Sequence, residues 1–159
     1  MERIRLLENW VKAQFPEKPF TLQPASADAS FRRYFRVSFQ DQTLIAMDAP
    51  PQQEDCTPFI QMAEILAETG VHVPKIVAQN LDQGFLLLSD LGNTTFLQAL
   101  NDQIDSANQL YGDAIDALIK LQLSPQVEGL PVYDESLLLR ELNLFPDWYV
   151  AKHLRVAIT

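Results

Sequence analysis

Residues 27–37 read "ADASFRRYFRV". From Phe31 onward one phase of alternate positions carries Phe31, Arg33, Phe35, Val37 and Phe39, and the other carries Arg32, Tyr34, Arg36 and Ser38. A period of two is that of a β-strand, whose successive side chains point to opposite faces. The stretch also holds three arginines, out of 12 basic residues in a 159-residue chain of formal net charge −9. Arg33 shares its phase with four large apolar residues. A charge on an apolar face is too costly unless it is paired or opens onto a cleft. The sequence therefore leaves two roles for Arg33, an anion-binding group in a cleft or one half of an ion pair. Arg32 and Arg36, on the phase of Tyr34, read as solvated or salt-bridged.

Working outward, residues 2–15 carry Ile4, Leu7, Val11 and Phe15 near helical spacing, and "FPEKP" ends that helix. A short strand is expected at Phe20–Gln23. On the other side, Asp41 and Gln42 make a tight turn into a strand, "TLIAMDA", so residues 20–48 read as a three-stranded antiparallel meander. "APPQQEDC" is a loop. Thr57 before Pro58 predicts a hydroxyl-capped helix start, and Phe59, Met62, Ala63 and Leu66 continue it to a C-terminal cap at Gly70. "KIVAQ" and "FLLLSD" are two further strands joined by a "DQG" turn.

Beyond Leu91-Gly92 the pattern turns helical. Helices are expected over Thr94–Leu100 and Ala107–Leu123, the second with Leu110, Ala114, Leu118 and Leu121 on one face. Asp134 is the expected cap of a helix over 135–145, with Leu138, Leu142 and Phe145 as its core face. Pro146 is expected to separate that helix from one over 147–158. The fold class is α+β, divided near residues 89–92 into a sheet lobe (1–90) and a helical part (91–159). The last pattern stops without a closing glycine or proline, which points to a longer parent protein.

The totals exclude several classes. An acidic balance disfavours general binding to nucleic acid or to an anionic membrane. The N-terminus lacks the apolar core of a secretory signal, and runs such as "FLLL" are far too short to cross a bilayer. Cys56 is the single cysteine, which excludes an internal disulfide and suits a reducing cytoplasm. His72 and His153 fall in no metal-binding or catalytic spacing.

Five strands with one helix between the third and fourth, followed by helices, resemble the small lobe of a protein-kinase-like fold. The segments "ADASFRRYFRV", "IAMDAPP", "GVHVPKI", "GFLLLSDLG" and "LRELNLFPDWYVAKHL" resemble the aminoglycoside phosphotransferase-like kinases. Within that family they are most similar to the anomeric kinases that phosphorylate N-acetylmuramate and N-acetylglucosamine in cell-wall recycling.

The resemblance implies ATP and Mg2+ as cofactors and a sugar hydroxyl as acceptor. It implies that the "ADAS" turn covers the nucleotide phosphates, with main-chain groups around Asp28–Ser30, the Ser30 hydroxyl, Arg32 and Arg33 as ligands. It places Ser89, Asp90 and Leu91 at the hinge, meeting adenine through their backbones, with Gly92 allowing a sharp exit. Glu141 and Asn143 would bond sugar hydroxyls, and Trp148 would stack on a sugar ring.

The chain also departs from the family. The turn has no glycine. Met47 or Asp48 stands where the third strand usually carries lysine, and Phe59 stands where a glutamate is usual, with Glu64 further along. An arginine of "FRR" is the candidate replacement for that lysine. The catalytic aspartate and the metal ligands of the family lie further along than these residues, so residues 1–159 alone are expected to be inactive and to self-associate through uncovered helical surface. A kinase of another small alcohol or aminoglycoside, and a non-catalytic nucleotide- or partner-binding module, remain the alternatives.

Overall fold

Phe35 and Val37 point to one face of strand β2 (Arg33–Ser38) and Tyr34 and Arg36 to the other, as the pleat of a strand dictates, and each face has its own apolar cluster. The computed structural model describes residues 2–27, 30–124 and 130–157. These form two compact units, residues 1–124 and 125–159.

The first unit is built on one antiparallel sheet in the order β1–β2–β3–β5–β4, with β1 Thr21–Ala27, β3 Thr43–Asp48, β4 Ile76–Asn80 and β5 Phe85–Ser89. Helix α1 (Glu2–Gln14) precedes the sheet and α2 (Thr57–Glu68) connects β3 to β4. This is the α+β small-lobe arrangement that the resemblance implied. The expected strand at residues 20–23 runs on to Ala27, with a bulge between Pro24 and Ser26. A proline without an N–H is tolerated there because β1 is an edge strand. Phe31, expected inside β2, lies before it and is 59% exposed. Its N–H goes to the Glu54 carboxylate instead.

Cross-strand register sorts the side chains. Phe35 faces Ala46, which faces Leu87, and Val37 faces Leu44. Leu7 and Val11 of α1 pack on this face with Phe85, all three fully buried. Trp10 adds a ring contact to Phe85 at 5.7 Å, and Phe15 one to Phe39 at 4.9 Å. Burying a side chain of this size contributes about 2 kcal/mol. On the opposite face Met47, Ala49, Leu86 and Leu88 meet Cys56, Phe59 and Ile60. The sheet is therefore buried on both sides, and the apolar phase alone does not say which side carries a cleft.

The start of α2 differs from expectation. Thr57 is its first helical residue rather than its cap, and Cys56 occupies the cap position. Asp55 Oδ1 accepts the Thr57 N–H at 2.8 Å, a shorter local loop than a threonine cap would make, and this bond holds the Asp55 carboxyl below its usual range. Gly70 ends the helix at φ +77°, as expected. At the β4–β5 turn Gly84 has φ +69°, and a Cβ there would sit 1.8 Å from the Ala49 carbonyl oxygen.

After β5 come α3 (Phe96–Asp102), a 3-10 turn (Ile104–Ser106) and α4 (Ala107–Leu123). α3 starts two residues later than expected because Thr95, not a residue before it, closes a capping box with Gln98. α4 has the expected bounds, yet none of its residues is buried.

In the second unit α5 (Glu135–Leu144) is capped by Asp134, which accepts the Leu137 N–H at 2.9 Å. Pro146 does not break the helix. The chain passes directly into a π-helical segment, Phe145–His153, and the missing N–H of Pro146 falls where the α-helical hydrogen-bond pattern gives way to the wider π pattern. The segment ends at His153, short of residue 158, which lies outside the described residues. The Leu154 N–H closes onto Tyr149 O at 2.9 Å, and Arg155 turns away at φ +57°. Leu138, Leu142 and Phe145, expected as core, are 45%, 68% and 63% exposed. A single helical layer offers them nothing to be buried against within this unit.

Candidate functional site

A cavity of about 600 Å³ opens on the α2 side of the sheet. Its walls are Tyr34 and Arg36 of β2, Ile45 of β3, Phe59 of α2, Leu88 and Ser89 of β5, and residues 90–93 beyond β5. The register explains this grouping. Arg36, Ile45 and Leu88 form one row across three strands, and Tyr34 belongs to the next row on the same face. The result is a slot with apolar walls and a polar end, the usual composition of a small-molecule site.

The polar end is organised by Asp90. Arg36 Nε donates to Asp90 Oδ2 at 2.6 Å and Nη2 to Oδ1 at 3.2 Å, and Oδ1 also accepts the Gly92 N–H at 2.9 Å. The Arg36 fork is the main cause that lowers the Asp90 carboxyl to about 2, with the Gly92 N–H and the Thr43 hydroxyl adding to it against an opposing effect of burial. Arg36 is raised in turn by its bond to Asp90. Gly92, at φ +97°, makes the sharp exit expected of it and gives its carbonyl to Arg36 Nη2 at 3.2 Å.

The three expected hinge residues all line the cavity, in three different ways. Ser89 spends its N–H on Lys75 O at 2.8 Å, and its hydroxyl accepts the Lys75 N–H at 2.9 Å. Asp90 contributes its carboxylate to the Arg36 fork. Leu91, whose N–H and C=O make no hydrogen bond among the described residues, is the member with main-chain groups to offer a ligand.

The arginines divide differently from the expectation. Arg33 stands directly opposite Asp48 in the β2–β3 register, on the α1 face of the sheet. Asp48 is fully buried and takes both Arg33 and Arg3: Arg33 Nε at 3.1 Å, Arg3 Nε at 2.9 Å, and a second nitrogen of each. Arg3 continues to Gln83 O at 2.7 Å and lies 5.0 Å above the Phe85 ring. Of the two roles open to Arg33, the ion pair is made, and the same side chain, 45% exposed, also lines a smaller cavity of about 320 Å³ with Ser30, Arg32 and Tyr34. Met47, one residue away, is fully buried in the core under α2 and is not part of the cavity wall.

Arg32 is not in the wall of the larger cavity but lies beside its wall residue Phe59 and lines the smaller cavity with Ser30, Arg33 and Tyr34. Its Nε donates to Glu54 Oε2 at 3.2 Å, and its guanidinium lies 6.0 Å from the Phe59 ring. Burial pulls its pKa down, but the bond to Tyr34 and the charge of Glu54 outweigh that and raise it. Ser30 Oγ accepts the Arg32 N–H at 3.1 Å. Asp28 lies outside the described residues.

Glu141, Asn143 and Trp148 belong to the second unit and are exposed. Glu141 and Asn143 are two residues apart on α5, so they point to different sides. Lys152 Nζ sits 3.7 Å over the Trp148 ring and so covers one of its two faces. Among the described residues no three His, Cys, Asp or Glu side chains gather to hold a metal, so no step is assigned to Mg2+ here. No helix among them is long and apolar enough to cross a membrane.

Sequence reasoning missed Tyr34, Phe59 and Glu54 and ranked Arg36 below Arg33. The alternation did place Tyr34 and Arg36 together, but nothing in it chose their face as the one with the cleft. Glu54 carried no local signal, since its partners are 22 and 23 residues away.

The profile of the Phosphotransferase enzyme family matches residues 21–157. The N-acetylmuramate/N-acetylglucosamine kinase of Pseudomonas aeruginosa is 50% identical over 98% of this chain and 48% of its own length. The protein of that name from Pseudomonas putida is 51% identical over 87% of this chain and 40% of its own length. That from Neisseria meningitidis serogroup B is 43% identical over 100% and 48%. The chain spans about half the length of the curated relatives it matches.

Proposed function

The chain belongs to the phosphotransferase enzyme family, and from that premise we propose that residues 1–159 carry the nucleotide-binding part of an ATP-dependent sugar kinase. The acceptor is a hydroxyl of N-acetylmuramate or N-acetylglucosamine. The observation that carries the ATP part is the cavity of about 600 Å³ between the α2 face of the sheet and residues 89–93. Tyr34, Ile45, Phe59 and Leu88 suit the flat faces of an adenine, and the Leu91 main chain suits its hydrogen-bonding edge. Arg32, beside Tyr34 and Phe59, is the cation placed for a phosphate and stands in for the absent third-strand lysine. The choice of sugar is supported by the names of the relatives.

The lobe boundary on this reading falls at residues 90–91, where the sheet ends. The transfer itself needs a carboxylate to orient the attacking hydroxyl and ligands to hold Mg2+. Neither role is assigned to the described residues, so residues 1–159 alone give no turnover. Glu141 and Asn143 stay proposed as sugar contacts, and Trp148 as a stacking ring for which Lys152 competes on one face.

The test is phosphorus NMR of the complete gene product with magnesium-ATP and each amino sugar in turn. The expected result is a sugar phosphate and ADP formed in step. ATP hydrolysis that ignores both sugars overturns the substrate assignment, and turnover by residues 1–159 alone overturns the division of labour.

A further inference from the structure

Arg32, Arg33 and Arg36 each face a carboxylate, and the three carboxylates are held very differently. Asp48 is fully buried and shared with Arg3. Asp90 is 7% exposed, forked by Arg36 and pinned by the Gly92 N–H. Glu54 is 14% exposed, lies in the loop between β3 and α2, and meets Arg32 through one bond at 3.2 Å. Its other oxygen, Oε1, accepts the Phe31 N–H at 3.0 Å. One carboxylate thus takes a main-chain amide and the next residue's guanidinium, the pair of donors that a phosphate oxygen takes in an anion-binding turn. The same guanidinium lies 6.0 Å from the centre of the Phe59 ring, which walls the cavity, and lines a smaller neighbouring cavity with Tyr34, which walls both.

We propose that Glu54 is an internal stand-in for a phosphate: it fills an anion subsite made by the Phe31 N–H and Arg32, and a phosphate of the bound nucleotide displaces it. The proposal rests on the nucleotide reading of the cavity. It has a physical advantage for the empty protein. A paired Arg32 holds the exit of the β1–β2 turn against the β3–α2 loop, and the exchange of one anion for another never leaves the cation bare in a partly buried place. The consequence is selective. Ligands that bring phosphate must work against Glu54, and a ligand that brings only the base does not.

The experiment is titration calorimetry of residues 1–159 with adenosine, ADP and inorganic tripolyphosphate, on the unmodified chain, Glu54→Gln and Glu64→Gln. Glu54→Gln keeps an oxygen for the Phe31 N–H and removes the charge. It is expected to tighten ADP and tripolyphosphate by about three- to tenfold and to leave adenosine unchanged, which also reports an intact fold. Glu64→Gln removes the same charge from an exposed place on α2 and is expected to shift the anions by less than about twofold. The proposal is overturned if Glu54→Gln binds the two anions no tighter than the unmodified chain, if Glu64→Gln tightens them equally, or if tripolyphosphate binds neither. If tripolyphosphate tightens but adenosine binds nothing, the subsite stands and the nucleotide reading of the cavity falls.

Discussion

Asp48 gives the sharpest test of how the sheet is held. Its side chain has no exposure and receives four nitrogens from two guanidiniums. Asp48→Asn keeps the shape, removes the charge and turns an NH2 toward one of the arginines. Removing one partner from a buried ion pair costs about 3–5 kcal/mol. Here the arginines keep an escape, because Arg33 is 45% and Arg3 28% exposed. Part of their charge returns to water, so the expected loss is about 2–4 kcal/mol. That is a large share of the ~5–15 kcal/mol by which a domain is stable. Arg33→Gln leaves Asp48 with Arg3 and is expected to cost about 1–2 kcal/mol. In the Asp48→Asn background the same change is expected to cost close to nothing, since it then relieves two cations facing a neutral amide. The coupling in the cycle is therefore about 1–2 kcal/mol. Urea unfolding followed by far-UV circular dichroism measures it, and emission of Trp10, packed on Phe85, reports the same layer in a Trp148→Phe background. Equal cost of Arg33→Gln in both backgrounds would refute the ion-pair reading. So would an Arg33→Gln protein of unchanged stability with weakened ADP binding, which would return Arg33 to the phosphates.

Gly84→Ala is expected to cost about 3 kcal/mol or more, because its Cβ meets the Ala49 carbonyl and its φ is positive; a denaturation midpoint equal to that of the unmodified chain would contradict this. Asp90 has its carboxyl lowered to about 2 from 3.8. A depressed carboxyl stabilises the fold above the unfolded value, so this contribution is complete above about pH 4 and fades as pH falls toward 2. Asp90→Asn should flatten that part of the acid unfolding curve, and an unaltered curve would show that other groups govern it. Thr95→Ala removes the capping box of α3 and should cost about 1 kcal/mol, seen as faster amide exchange over residues 96–99. The uncovered side chains of α4 and α5 should make residues 1–159 elute above monomer size as concentration rises, and Leu142→Glu or Ile115→Glu should reverse this; a monomer at every concentration counts against it.

Most of the elements were legible in the order of residues, though not all their ends, since Phe31 lies before β2 and Pro146 does not stop the helix. A period of two from Phe31 to Phe39, a period of 3.6 in α1, α2 and α4, and punctuation by Gly70, Gly84 and Gly92 are local properties written in the order of residue types. The five strands, their antiparallel sense and the family resemblance followed from that order. Tertiary structure alone decided which arginine does what. Arg33 and Asp48 are 15 residues apart, Arg36 and Asp90 are 54 apart, and they meet only because the register sets them opposite or across the sheet. Both faces of the sheet are apolar, so the pattern left open which one α1 would cover and which would hold the cavity. The packing of α1 through Leu7 and Val11 closed the first face, where Arg33 is tied to the buried Asp48, leaving Tyr34 and Arg36 at the second. The reach of a charge is a matter of space and not of sequence distance, which is why Glu54, with no signal of its own, proved to be the partner of the opening motif.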